Sequence, residues 1–328
     1  TRKESSAASD VYKRQGAGRA LWLFLLRGCW RRGAAVCGGA PGEGSAVSGP
    51  LEPMSIEGRD PLAREPLPLR GKSVVVTGVS RRAGIGYATA CRLAAYGASV
   101  FCHHFSPHDE EQDWGGDDLE AVLEGVRSHL VDGARVADLH ADLARPEAAE
   151  RVVAAAAEEF GHLDALVCNQ ALSGSDGALG ELSAPDLDRH WAVDARASIL
   201  LAQAFAARHE AGRAASVVFL TSGQGLGPMP GEVAYAAAKA ALAGVTTTIA
   251  DQLADRGIRV NTVNPGPVDT GYLNDQMWRE VEPMFPLGRF GRPDDPARLI
   301  AWLCTEEASW VTGCLLYTSD AADDSLRV

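Results

Sequence analysis

Lys72–Gly86 reads KSVVVTGVSRRAGIG. A short β-branched run between Gly71 and Gly78 marks a buried strand. Ile85–Tyr96 (IGYATACRLAAY) then repeats apolar residues at helical spacing and stops before Gly97, a C-cap signal. A strand passing through glycines into a helix N-terminus is where a pyrophosphate meets backbone N–H groups, and a Cβ there would hold the phosphate off. Gly78, Ser80, Arg81, Arg82, Gly84, Ile85 and Gly86 are therefore the candidate dinucleotide cradle. A glycine-rich loop alone can be only a tight turn, but the strand–loop–helix setting favours the nucleotide.

Outward from this stretch, apolar runs and helical patterns alternate. Ser99–His103, Ala134–Leu139, Ala165–Cys168, Ser216–Thr221 and Arg259–Asn264 read as strands. Leu119–Val131, Pro146–Phe160, Pro185–His209, Tyr235–Asp255 and Pro296–Cys304 read as helices. Such alternation predicts the α/β class, a single Rossmann-type doubly wound parallel sheet with helices on both faces. Its ligands then lie at the carboxyl ends of the strands.

The 328 residues are 46% hydrophobic and 23% charged, with a formal charge of −12, which argues against a nucleic-acid partner. No apolar run reaches the roughly 18 residues of a membrane span. Seven cysteines, an odd number without C-x-x-C, indicate neither a disulfide framework nor a metal site. A reducing, cytoplasmic setting is the expectation.

Both ends read as foreign. Ser5–Gln15 (SSAASDVYKRQ) is encoded by a DNA string whose reverse complement, read one base in, encodes Cys314–Asp323 (CLLYTSDAAD). Two strands of one short DNA at opposite ends of a chain resemble the transposon end used in sequencing libraries, so both stretches are set aside. Residues 1–53 are read as a non-native or upstream leader, with a transit peptide as a lesser alternative. Residues 54–313 are the expected domain and 314–328 a non-native tail, with the last edge strand lost.

The adenosine ribose decides between NAD and NADP. An NAD site puts an acid at the end of the second strand, but here it ends Cys102-His103-His104-Phe105-Ser106, with no carboxylate before Asp109. Arg81 and Arg82 could instead fork onto a 2′-phosphate, so NADP(H) is favoured over NAD(H), solvated loop arginines being the other reading. Adjacent strand residues face opposite ways, so at most one of His103 and His104 faces the cofactor; His104 is the candidate.

Ser222 follows SVVFLT, and Tyr235 and Lys239 sit at i, i+4, on one helix face. A phenol with an ordinary pKa of about 10 is a poor base, and a nearby ammonium lowers it. Ser222 could hold the same substrate oxygen. Tyr-x-x-x-Lys alone is a common surface pair; its place on the cofactor side of the sheet is what raises it.

With these motifs in order, Arg70–Gly313 resembles the short-chain dehydrogenase/reductase family, and is similar to its small 3-oxoacyl-(acyl-carrier-protein) reductases. The resemblance implies seven parallel strands, an NAD(P) cofactor, hydride transfer between nicotinamide and a small carbonyl/alcohol substrate, and a homo-oligomer, dimer or tetramer. It makes Tyr235 the general acid/base, Lys239 its modulator and a ribose ligand, and Ser222 the substrate orienter. Asp142 and Leu143 fall at the adenine-contacting pair, Asn169 and Ala171 in the fourth-strand motif. Pro265, Gly266, Val268 and Thr270 fall where the carboxamide is held. Pro286-Leu287-Gly288-Arg289 and Trp310-Val311-Thr312-Gly313 match late landmarks, and Gly271–Pro286, with Tyr272, Met277, Trp278 and Phe285, the substrate lid or else core.

The chain also departs from the family. The glycine loop is longer than usual, a trait shared with enoyl reductases of the superfamily, whose tyrosine and lysine stand further apart. Cys168-Asn169-Gln170-Ala171 replaces Asn-Asn-Ala-Gly. Asp194 stands at the catalytic asparagine position, and an ionised carboxylate cannot donate a hydrogen bond, so a proton relay there is altered or slowed. A non-catalytic NADP-binding sensor on the same fold, or a truncated inactive chain, are the rival readings.

Overall fold

Ser73–Val76 (β1) is buried along its whole length because it lies mid-sheet between two helical layers. Val74 and Val76 face one core and Val75 the other, the period-two alternation of a strand turned on two apolar layers instead of one. This is a computed structural model, and it describes residues 64–272, Arg279 and residues 287–318.

After β1 come Ile85–Ala95 (α1), Ser99–His104 (β2), Ser106–Glu110 (α2), Leu119–Arg127 (α3), Val136–His140 (β3), Pro146–Phe160 (α4) and Ala165–Cys168 (β4). Ala184–His190 (α5) continues through a π-helical turn, Trp191–Arg196, into Ala197–Arg208 (α6). Ala215–Leu220 (β5), Val233–Ala254 (α7), Ile258–Asn264 (β6), Asp294–Leu303 (α8) and Leu315–Tyr317 (β7) complete the described elements. The sheet runs β3-β2-β1-β4-β5-β6-β7, all parallel. One core packs Phe101, Leu166, Val217, Phe219 and Val260 against α4 and α6. The other packs Val74, Val76, Val167, Val218 and Val263 against α1, α3 and α8. The strand order reverses between β1 and β4, and ligands of such sheets bind outside the carboxyl ends of the strands at that switch point.

Two expectations are corrected. The last edge strand is not lost: β7 pairs Thr262, Val263 and Asn264 with Leu315, Leu316 and Tyr317. An edge strand is held by backbone hydrogen bonds and so accepts many sequences. The long helix expected over 185–209 is interrupted by the π-turn. By length and composition alone α7 is apolar enough to cross a membrane, although no unbroken apolar run in it is that long. Its apolarity comes mainly from alanines, and it packs against β6 with Leu242, Thr246 and Ala250 buried.

Candidate active site

The glycine turn is fastened to β4 by side chains. Asn169 Nδ2 donates to the carbonyls of Thr77 (3.0 Å) and Gly78 (3.1 Å), and Thr77 Oγ1 accepts the Asn169 N–H at 3.0 Å. Gly78 has φ +72°, and a Cβ at Gly86 would strike the Gly78 carbonyl oxygen. These glycines therefore allow α1 to close onto β1, the packing role expected of a dinucleotide turn. Gly84 is the N-cap of α1; it offers no capping side chain, and no acidic residue follows in the first turn, where Ile85 and Gly86 lie. A helix N-terminus left this way suits an anion.

The two loop arginines are occupied differently. Arg81 Nε donates to Asp109 at 2.9 Å and Nη1 to the Thr270 carbonyl at 3.0 Å, with the guanidinium 5.3 Å from the Trp114 ring centroid. Ser80 donates to the same Asp109 at 2.7 Å. Arg81 thus ties the glycine loop to the segment after β6. Arg82 is about half exposed and forks onto Asp117, a carboxylate in a geometry a phosphate also accepts.

His103, rather than His104, touches the glycine loop. Its Nδ1 accepts the Gly78 N–H at 3.3 Å, which makes Nε2 the donor to the Ala141 carbonyl at 2.8 Å. Burial pushes this imidazole down to about 4, so it is neutral at physiological pH. His104 turns to Asp138 at 3.0 Å, leaving its buried Nδ1 without a hydrogen-bond partner at the end of β2. Asp142 Oδ1 accepts the Ala144 N–H, and Leu143 is buried beside it. An uncapped helix N-terminus after β1 and an orphaned ring nitrogen at the end of β2 both lie at carboxyl ends of adjacent strands, and the set fits a dinucleotide. No group of His, Cys, Asp and Glu that could hold a metal occurs among the described residues.

The helix α7 begins at Val233 and carries Tyr235 and Lys239 on one face. Ser222 follows β5 and stands beside the Tyr235 phenol, whose ionised form it favours. Lys239 Nζ lies 5.4 Å from the Tyr235 ring centroid and donates to the Leu220 carbonyl at 3.2 Å. Burial pushes the phenol up, the Asp194 charge pushes it further, and Ser222 opposes both. Burial pushes the Lys239 ammonium down, against the pull of Asp194. A carboxylate sits 3.9 Å from Lys239 Nζ.

That carboxylate, Asp194, lies in the π-turn with no exposed surface. Its Oδ1 accepts the Leu172 N–H at 2.7 Å, and its Oδ2 lies 3.1 Å from His190 Nδ1. The π-turn is the local device that aims it, since one extra residue in the turn redirects the side chain inward. Pro265, Gly266 and Val268 lie in the turn after β6; Gly266 has φ +66°, and Val268 bridges to Gly291. Ala171 follows Gln170 in the loop after β4. Of the proposed lid, Tyr272 is described and partly exposed, while Met277, Trp278, Phe285 and Pro286 lie outside the described residues.

Three contributors are not anticipated by the motifs. Gln170 is buried, hydrogen-bonds Thr77, and donates Nε2 to Ser198 Oγ (2.9 Å) and the Val193 carbonyl (3.1 Å), coupling β1 to the π-turn. Its signal was the departure from the fourth-strand motif. Asp176 accepts the N–H groups of Ala234 (3.0 Å) and Tyr235 (2.7 Å), capping α7 from another loop. His190 stands edge-on to the Tyr235 ring, 6.1 Å between centroids.

A family model described as Enoyl-(Acyl carrier protein) reductase matches residues 78–320. An uncharacterised oxidoreductase of Bacillus subtilis is 37% identical over 250 residues, covering 75% of this chain and 95% of that protein. A 3-oxoacyl-[acyl-carrier-protein] reductase of Staphylococcus epidermidis is 29% identical over 251 residues, covering 76% and 97%. Among solved structures, a short-chain dehydrogenase/reductase from Serratia marcescens matches with a TM-score of 0.66 and 33% identity, covering 76% of this chain and 97% of that one.

Proposed function

The chain belongs to the short-chain dehydrogenase/reductase family and is an oxidoreductase of that family, and from this we propose that it is an NADPH-dependent carbonyl reductase resembling the 3-oxoacyl reductases. The observation that carries the proposal is Lys239, one helical turn on from Tyr235 with its Nζ 5.4 Å from the ring centroid, and Ser222 beside the same phenol. The i, i+4 spacing speaks for carbonyl rather than enoyl reduction, despite the wording of the family model, and a Staphylococcus relative is named for 3-oxoacyl reduction.

In this reading Ser222 and Tyr235 both hydrogen-bond the substrate oxygen. Tyr235 gives that oxygen its proton as the adjacent carbon is reduced, and the Lys239 cation stabilises the phenolate left behind. Gly78, Ser80, Gly84, Ile85 and Gly86 would receive the pyrophosphate, and Arg82 the 2′-phosphate in place of Asp117, with His104 nearby. Asp142 and Leu143 would flank the adenine, Asn169 and Ala171 the ribose side, and Pro265, Gly266, Val268 and Thr270 the carboxamide, while Arg81 braces the cradle. When bound, NADPH supplies the hydride. The protein works as a cytoplasmic homodimer or homotetramer in this reading.

One observation favours the rival, a sensor that binds NADP without turnover: Asp194 beside Lys239 offsets the cation the mechanism needs. A screen of carbonyl compounds following NADPH absorbance separates the two. Turnover with at least one compound, abolished in Tyr235→Phe, is expected. Tight NADPH binding with no turnover would establish the sensor.

A further inference from the structure

We propose that His190, clamped between Asp176 and Asp194, is a positioning residue that offsets the carboxylate at 194 and so keeps Lys239 free to act on Tyr235. The inference rests on the carbonyl-reductase reading and adds a residue to it.

The geometry is an alternation of charge. His190 Nε2 lies 3.9 Å from Asp176 Oδ2 and Nδ1 lies 3.1 Å from Asp194 Oδ2; Asp194 Oδ1 lies 3.9 Å from Lys239 Nζ. His190, Asp194 and Lys239 are essentially without exposed surface. With a neutral imidazole, two carboxylates would face a single lysine around the Tyr235 phenol. Phenolate formation would then be opposed by a net negative surrounding, in a medium where charges are weakly screened. An imidazolium restores balance: Asp176, His190, Asp194, Lys239 alternate in sign along the array.

The groups facing the imidazole are Asp176 from the loop after β4, Asp186 and Asp194 from its own helical run, and Glu232 and Tyr235 from α7. All five are anionic or neutral. Burial works against the charged ring, but the Asp194 hydrogen bond and the charges of Asp194 and Asp176 outweigh it, raising His190 above its ordinary value. Both ring nitrogens face acceptors, since Nε2 also meets the Gly174 carbonyl at 3.2 Å, and only the doubly protonated ring can donate to both sides.

A purely structural histidine would also link Gly174 to the helix, so the test needs readouts beyond stability. On the full chain, the His190 ring followed by NMR should titrate above the ordinary 6.5 and fall back in Asp194→Asn. His190→Gln should lower kcat at least tenfold, with KM and NADPH affinity within twofold of the parent. It should also lose the alkaline limb of the kcat profile that the imidazolium creates. Adding Asp194→Asn to His190→Gln should recover most of that kcat, because the charge to be offset is gone. A ring that titrates at or below 6.5, or a double variant no faster than His190→Gln, overturns the proposal. A ring that titrates high in a protein that turns over no carbonyl compound refutes the carbonyl-reductase reading and the effect on Tyr235, and leaves the His190–Asp194 pairing standing.

Discussion

At the scale of single residues, the two loop arginines separate in role although the sequence shows them as a pair. Arg81 is committed to Asp109, Thr270 and the Trp114 face, whereas the half-exposed Arg82 side chain forks onto Asp117 alone. Arg82→Ala should narrow the preference for NADPH over NADH by about tenfold, the scale of one charge-assisted fork. Arg81→Ala should weaken both cofactors alike, because it loosens the loop without touching the 2′ position. Titration of both nucleotides against both variants checks this; an unchanged NADPH/NADH ratio in Arg82→Ala would remove it from the 2′ site. Tyr235→Phe should cut turnover by about 10³-fold, the range of general acid–base catalysis, with NADPH binding kept. Asp194→Asn should not slow turnover, since amide replaces a carboxylate that competes for Lys239. The residue types of this site were readable because chemistry fixes them: Ser222, Tyr235 and Lys239 stand at spacings that one strand end and one helix turn impose. The pairing of Arg81 with Asp109 was not, because it depends on α2, a five-residue helix without a full apolar period.

At the scale of elements, α7 is held at its start by a residue far away in sequence. Glu232 is its N-cap and makes no side-chain cap, and Asp176 accepts the Ala234 and Tyr235 N–H groups instead. Buried hydrogen-bond donors near a helix start are costly to leave unpaired. Asp176→Ala should therefore destabilise the protein by about 1–2 kcal/mol, the usual range for a lost cap, and lower kcat by misplacing the Tyr235 ring. Asp176→Asn should retain most of the stability. The backbone N–H groups hold the Asp176 carboxyl below its ordinary value despite burial. Its contribution is thus full above pH 4 and lost as pH falls through the lowered value, which acid unfolding of the parent against Asp176→Asn would register. His190 has the opposite sign: raised in the fold, its contribution is full below about 6.5 and lost as pH rises through its folded value. Cross-loop caps of this kind leave no periodic trace, so sequence patterns located α7 to within two residues and could say nothing of what anchors it. The π-turn at Trp191–Arg196 was hidden for a related reason: WAVDAR continues a helical pattern, and only packing against α7 shows where the extra residue goes.

At the scale of the whole molecule, the sheet's last strand shows what the fold demands of a sequence. The central strands are specified by side chains, since β1, β4 and β5 are buried throughout and any polar substitution would face an apolar layer. That is why their alternation with helices disclosed the doubly wound class from the sequence pattern. β7 is different: its three residues are only partly buried, and it is held by main-chain bonds that include Thr262 N–H to the Cys314 carbonyl at 2.8 Å and Thr318 N–H to the Asn264 carbonyl at 3.1 Å. A strand held this way accepts many sequences, which is why reading residues 314–328 as a non-native tail led wrongly to the expectation that the last edge strand is lost. Leu315→Val and Tyr317→Val should accordingly cost less than about 1 kcal/mol each, as β-branched residues suit an edge. Leu316→Pro should cost about 3 kcal/mol or more, because in a parallel ladder bonded at 314 and 318 the donor between them is the 316 N–H, and proline removes it. Denaturant unfolding of the three variants decides the point. If Leu316→Pro unfolds at the parent midpoint while Leu315→Val shifts it strongly, side-chain packing and not the main-chain ladder fastens β7, and the tolerance argued for this edge is wrong.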